Sequence, residues 1–246
     1  MIKISSDGGY LTSWQVINKK NSQAEEIFYQ GSSLKRTGIP PLFPCWNASG
    51  TGLRKHGFAR DVRWIVEESK DSRAVMTLDS ENIKAIAEKE YPHDFKVAIE
   101  VSEKDSDLLY KMSVVNRGQR HMEIAPAIHP YFAVNHEDKN KIKTEGINGF
   151  VASDFDWDNS PPDNHYPYAK TAKIILPDKT ISITDATPSP VFKYMVVWSQ
   201  PGTAQDFNFV CFEPITALDG AIERREILIA PGRSWEMDIK FNVSFH

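Results

Sequence analysis

The last stretch of the chain alternates strictly. Trp235, Met237, Ile239, Phe241, Val243 and Phe245 are separated one by one by Glu236, Asp238, Lys240, Asn242 and Ser244. A period of two puts the apolar set on one face of a strand and the polar set on the other, as in an antiparallel sheet with one dry and one wet face. Phe95, Val97, Ile99 and Val101 repeat the pattern, and so do Leu108, Tyr110, Met112 and Val114. Tyr10 to Ile17, Glu26 to Tyr29, Trp64 to Glu67 and Ala74 to Leu78 are further short β-rich runs. Turn signals recur at Asn116-Arg117-Gly118, Ser160-Pro161-Pro162-Asp163-Asn164, Pro201-Gly202 and Pro231-Gly232. Glu81 to Lys89 reads as a short helix with Ser80 as its cap. A helix that short cannot cover a sheet, so the sheets must cover each other. The expected fold is all-β, a large antiparallel β-sandwich in one domain over residues 1–246.

Composition narrows the partners. A net charge of −4 argues against general nucleic-acid binding, which wants a basic surface. No apolar run approaches the roughly 18 residues of a membrane helix. Met1-Ile2-Lys3-Ile4-Ser5 carries no signal-peptide stretch, and Cys45 and Cys211 stand in apolar surroundings where free buried thiols are expected. These points predict a cytoplasmic protein. No CxxC or Cys/His spacing suggests a metal.

Three stretches carry ionisable groups on or beside strand-like segments: Lys55-His56-Gly57-Phe58-Ala59-Arg60, the run Met122 to Ile128 that ends in His129-Pro130-Tyr131-Phe132, and Phe209-Val210-Cys211-Phe212-Glu213-Pro214. A histidine at a sheet rim, half dry, has a pKa open to tuning; its alternative is a core residue satisfied by backbone. The segment from Lys35 to Arg63 stands apart, with six basic residues (Lys35, Arg36, Arg54, Lys55, Arg60, Arg63) and one acid, Asp61, in an otherwise acidic chain. Pro40, Pro41 and Pro44, together with Gly50-Thr51-Gly52, argue against regular central strands there. An irregular basic loop suits anion binding, since the planar arginine fork holds two oxygens at once.

In order, Arg36-Thr37-Gly38-Ile39-Pro40-Pro41-Leu42-Phe43-Pro44, His56-Gly57-Phe58-Ala59-Arg60, Tyr91-Pro92-His93-Asp94-Phe95, His129-Pro130-Tyr131-Phe132 and Phe212-Glu213-Pro214 resemble segments of the galactose mutarotase-like family, the aldose 1-epimerases and hexose-6-phosphate mutarotases. The resemblance runs to the late Ala230-Pro231-Gly232 turn. It implies a β-sandwich with its site in a cleft on a concave sheet, and interconversion of α and β sugar anomers with no cofactor. Carried over by motif, Glu213 resembles the base and His129 the acid. His56 resembles a sugar-holding histidine, and Arg36 and Arg60 resemble the phosphate contacts of the hexose-6-phosphate branch. The spacing from Gly146 to Asp154 is similar to that before the branch's sugar-binding aspartate, with Asp156 and Asp158 as alternatives. Thr37 stands where that branch usually has a second glycine, and Cys45-Trp46-Asn47-Ala48 replaces the Gly-Arg pair of related short bacterial members. Trp46, Trp157 and Trp198 are candidates to stack on a pyranose, or core residues. The partner implied is a small sugar or sugar phosphate. The competing readings are a non-catalytic sugar-binding sandwich and a glycoside hydrolase, which wants two carboxylates flanking the scissile bond.

Overall fold

The computed structural model describes residues 1–47 and 52–246, so the Gly50-Thr51 part of the basic loop and Ala48 lie outside the described residues. The alternating C-terminal run forms the strand Ser234–Phe245, with Met237, Ile239, Phe241 and Val243 buried. Lys179–Asp185 flanks it on one side. On the other, Asp107–Asn116, Phe95–Lys104, Arg73–Asp79 and Ile65–Lys70 follow in turn, every pairing antiparallel. Beyond Lys179–Asp185 the sheet continues through Asp163–Ile175, Tyr194–Trp198, Phe209–Ile215, Ala127–Ile128 and Pro41–Leu42, making thirteen strands with Tyr131–Ala133 and Lys143–Ile147.

Asp163–Ile175 is where the sheet turns back on itself. Its residues 163–167 pair with Tyr194–Trp198, and its residues 171–175 pair with Lys179–Asp185. Lys170 between them takes φ 52°, and the neighbouring strand shifts register around Gly146, φ 75°. A bulged strand that changes partners lets one continuous sheet supply both layers of a sandwich. The layers meet through aromatic rings: Phe132 lies 6.1 Å from Phe241, and Phe28 packs on both at 5.8 and 6.5 Å. A three-stranded sheet of Ile2–Ser5, Tyr10–Asn18 and Gln23–Glu26 adds Trp14 against Phe28.

Three expectations need local correction. Of the run from Glu26 to Tyr29 only Glu26 lies in a strand, as the last residue of Gln23–Glu26. The Glu26 carboxylate accepts hydrogen bonds from the backbone N–H of Trp14 (2.9 Å) and Phe28 (3.2 Å), groups a ladder would have used, and Phe28 makes one isolated bridge to Phe132. The run from Met122 to Ile128 is split at Pro126, which has no N–H to donate. Met122–Glu123 pairs with Leu228–Ile229, while Ala127–Ile128 joins the large sheet. The helix begins as a 3-10 turn, Ser80–Ile83, and continues as Lys84–Glu90. Its cap is Asp79, which accepts from Glu81 N at 3.1 Å. Ser80 instead turns inward, donating to Asp94 and accepting from Phe95 N.

A buried cation braces the layer that carries the site. Lys139 is fully buried, with Nζ 2.9 Å from Ser199 Oγ, in a hydrogen bond to the Phe207 carbonyl, and over the Trp157 ring at 5.4 Å. Ser199 Oγ in turn donates to Phe209 O at 2.8 Å, so this knot fixes the start of Phe209–Ile215. Burial lowers the ammonium from 10.5 to about 8. Below that range both folded and unfolded chains hold the proton. Above it the unfolded chain alone still does, so stability rises with pH up to the unfolded value. Urea melts at stepped pH should show the wild type gaining stability relative to Lys139→Met between about 8 and 10.5, on the order of 3 kcal/mol in all. Parallel pH profiles for the two proteins would refute it.

Candidate active site

Register explains why two residues distant in sequence meet. Ala127 pairs with Ile215 and Tyr131 with Cys211, both antiparallel, so the position opposite Glu213 is His129. Pro130 interrupts the ladder there, yet His129 N still donates to Pro40 O at 3.3 Å. Cross-strand neighbours share a face, and His129 Nε2 lies 3.2 Å from Glu213 Oε1. Val196 flanks Glu213 on the far side. The next row of the same face holds Tyr131, Cys211, Trp198 and Asp163. Val210 and Phe212 point the other way and join the core.

From these rows His129, Glu213, Val196, Trp198 and Asp163 floor a cleft of about 320 Å³, with Tyr131 and Cys211 buried beneath it. Its walls come from the irregular basic segment, which supplies Arg36, Trp46, Lys55, His56 and Arg60. Arg36 rides on the turn Leu34–Arg36. Thr37 fastens that turn, donating to Ser33 O and accepting from Gly31 N, each at 3.1 Å. Thr37 is extended, φ −131°, so the position does not require glycine. His56 has φ 72° and Gly57 φ 62°, and a Cβ on Gly57 would sit 2.1 Å from Phe43 O. That close approach tips the His56 ring into the cleft, where Nδ1 lies 2.6 Å from Trp46 O. The contact makes Nδ1 the protonated nitrogen and leaves Nε2 as an acceptor.

The electrostatics are set by burial. His129 is 5% and Glu213 3% exposed. Burial pushes the Glu213 carboxyl well above its ordinary value, with Asp163 adding to the rise and Lys55 and Arg60 opposing it. Burial also pushes the His129 imidazole well below its ordinary value, helped by His56, Arg60 and Arg36. The pair therefore favours its neutral form, one proton lying between carboxyl and imidazole. His56 is lowered to about 3, first by burial and then by Arg60.

The structure brings His129, Glu213, His56, Arg60 and Arg36 into one cleft. Asp154 is not among its lining residues: it sits exposed at the end of the turn Ala152–Asp154. Asp156 caps a turn by accepting from the N–H groups of Asp158 and Asn159, and Asp158 pairs with His136 at 2.9 Å. The carboxylate that does line the cleft beside Glu213 is Asp163, which sequence reasoning left inside a proline-rich turn. Lys55 was likewise counted as a base of the loop and not as a site residue. Trp46 and Trp198 line the cleft, whereas Trp157 is buried elsewhere, donating to Ala152 O.

His129, Cys211 and Glu213 have ligand atoms within 4.8 Å of one another, a grouping no sequence spacing reveals. The set does not suit a divalent cation. Burial holds the Cys211 thiol far above its ordinary value and so protonated, and Arg36, Lys55 and Arg60 surround the cleft with positive charge. Cys45 and Cys211 are free, buried thiols.

The aldose 1-epimerase family model matches residues 1–242. The chain belongs to that family. Structures with the same fold include the Slr1438 protein of Synechocystis sp. PCC 6803, 20% identical with a TM-score of 0.79, covering 100% of this chain and 92% of that one. A galactose mutarotase related enzyme from Lactobacillus acidophilus is 19% identical with a TM-score of 0.77, covering 100% and 94%. A galactose mutarotase-like protein from Clostridium acetobutylicum is 16% identical with a TM-score of 0.77, covering 100% and 92%. At these identities the likeness shows the fold. No curated protein matches the chain.

The epimerase-family cleft makes a spectroscopic prediction. Nitrogen-15 spectra should show His56 neutral, protonated at Nδ1, and not titrating at any pH well above about 3. Since the folded value lies below the unfolded one, His56 costs stability as pH falls through the unfolded range, when the unfolded chain alone takes the proton. A His56 resonance that titrates at the ordinary histidine value would contradict the geometry.

Proposed function

We propose that this chain is a mutarotase that interconverts the α and β anomers of an aldohexose, with hexose 6-phosphate as the form its cleft fits. One observation carries the reading: a buried carboxyl and imidazole in contact at 3.2 Å, beside cations that form no ion pair among the described residues.

The chemistry follows from that spacing. In a pyranose, the anomeric hydroxyl oxygen and the ring oxygen are both bonded to C1, so two groups in mutual contact can face both at once. The reactive form of the pair is the carboxylate with the imidazolium, reached by moving the shared proton to Nε2. Glu213 takes the proton from the anomeric hydroxyl. That oxygen forms a C=O bond, the bond from C1 to the ring oxygen breaks, and His129 Nε2 protonates the ring oxygen. Rotation about C1–C2 presents the other carbonyl face. Ring closure reverses each transfer: the former ring hydroxyl returns its proton to His129 and attacks C1, and the carbonyl oxygen takes its proton from Glu213. Nothing is consumed, and the matched neutral pair serves both directions.

Arg36, Lys55 and Arg60 supply the anion contacts. Lys35 and Arg54 of the same segment pair with Asp61 at 3.6 and 3.5 Å, but the three cleft cations form no ion pair among the described residues. A phosphate held there orients the ring without touching C1, remote binding energy spent on positioning. His56 Nε2 can accept a sugar hydroxyl, and so can the Asp163 carboxylate. A glycosidase would set a second carboxylate against the scissile bond, whereas the group in contact with Glu213 is His129. A non-catalytic sugar-binding protein has no use for a buried acid–base pair.

Two-dimensional exchange NMR on free and 6-phosphorylated aldohexoses tests the reading. Glu213→Gln and His129→Asn should each slow anomer exchange by roughly 10²–10⁴ with the fold intact. Near-wild-type exchange in either variant would remove that residue from the mechanism. Arg60→Ala should shift the preference for the 6-phosphate by about tenfold, the worth of one charge-assisted hydrogen bond. An equal loss on both sugars would leave a mutarotase of free aldoses.

A further inference from the structure

Arg36 and His129 share two aromatic neighbours. The Tyr131 ring lies flat against the His129 imidazole, with centroids 4.6 Å apart and planes at 10°. Its hydroxyl accepts a hydrogen bond from Arg36 Nη1 at 3.2 Å. Trp198 meets the imidazole edge-on at 5.6 Å and carries the Arg36 guanidinium over its own ring at 5.2 Å. Tyr131 and Trp198 stand perpendicular to each other, centroids 6.3 Å apart. Tyr131 is fully buried, so its ring has no freedom to reorient without disturbing both partners.

We propose that Tyr131 is a positioning residue that couples the anion contact to the acid, its hydroxyl holding Arg36 and its stacked ring holding the His129 imidazole. The proposal rests on the function proposed above. The coupling is mechanical first. An anion that draws on Arg36 acts on the Tyr131 hydroxyl, and the same rigid ring sets the plane of the imidazole that faces the sugar. The coupling is also electrostatic. The charges of Arg36 and Arg60 hold His129 down, so an anion that neutralises them makes the imidazole a better proton carrier while the sugar is in place. Tyr131 itself stays neutral, since burial raises its hydroxyl far beyond working pH.

Two substitutions separate hydroxyl from ring, read as KM against kcat on an aldohexose and on its 6-phosphate. Tyr131→Phe keeps the stack and frees Arg36. It should raise KM for the 6-phosphate by about tenfold and lower kcat on the 6-phosphate severalfold, as the anion loses its hold on the ring, with smaller changes on the free sugar. Tyr131→Leu also removes the stack and should lower kcat by about tenfold or more on both sugars. Phenylalanine thus rescues kcat on the free sugar but not the 6-phosphate KM, a split that general loosening of the fold would not produce. Unchanged KM for the 6-phosphate in Tyr131→Phe overturns the coupling to Arg36. Unchanged kcat in Tyr131→Leu overturns the coupling to His129, and if that variant does not fold, Tyr131→Met, which fills the space without a flat ring, is read in its place. A wild type indifferent to phosphate defeats the phosphate reading and the anion half of this proposal together, while the kcat comparison on the free sugar still judges the ring.

Discussion

A carboxyl and an imidazole buried 3.2 Å apart must settle where one proton resides. In water the answer would be an ion pair. Here burial penalises both charges, and the surrounding groups act in opposition: Asp163 raises the carboxyl, Lys55 and Arg60 lower it, and Arg60 and Arg36 press the imidazole down. A buried ion pair gains Coulomb energy but loses hydration of comparable or larger size, so the neutral pair wins while the charged pair stays within reach. That near-balance is what a reversible acid–base reaction needs. Each group must both give and take a proton within one turnover, and a strongly fixed proton would block one direction.

The rest of the architecture serves that contact. Strand register sets Glu213 opposite His129, and the break at Pro130 gives the histidine its place at the rim without a slip in pairing. The Lys139 knot fixes the start of the Glu213 strand. The described parts of the segment from residue 34 to residue 63 are largely irregular, and they bring Arg36, Lys55, His56 and Arg60 over one floor, which a single strand could not do. Two of its left-handed residues, His56 and Gly57, lie where the backbone passes against Phe43. Cations that form no ion pair among the described residues raise the local potential for an anion along a confined cleft.

The fold was legible wherever one strand face is wet. Ser234–Phe245, Phe95–Lys104 and Asp107–Asn116 alternate in sequence and in burial alike. Phe209–Ile215 is buried on both faces, so it shows no alternation, and Glu213 was found through its motif. Asp163–Ile175 was missed because it is largely polar, contains Pro167 and serves both layers of the sheet in turn. Missing that strand meant missing Asp163, its first residue, and looking for the cleft's second acid among the turn residues Asp154, Asp156 and Asp158. His129, Glu213, His56, Arg36 and Arg60 could be named from short motifs. Their convergence could not, since it depends on register and on a backbone path through positive φ. The Tyr131 and Trp198 rings that join Arg36 to His129 carry no sequence signal beyond being aromatic.

The protonation state of the pair is the point on which this account stands. Carbon-13 labelling of the Glu213 carboxyl and nitrogen-15 labelling of the His129 ring, followed through a pH titration of the free protein, reads it directly. The account predicts a carboxyl that stays protonated well above the ordinary carboxylate range, an imidazole that stays neutral well below the ordinary histidine range, and coupled movement of both signals. A Glu213 carboxyl that ionises near about 4.3 while His129 titrates on its own near about 6.5 would contradict it.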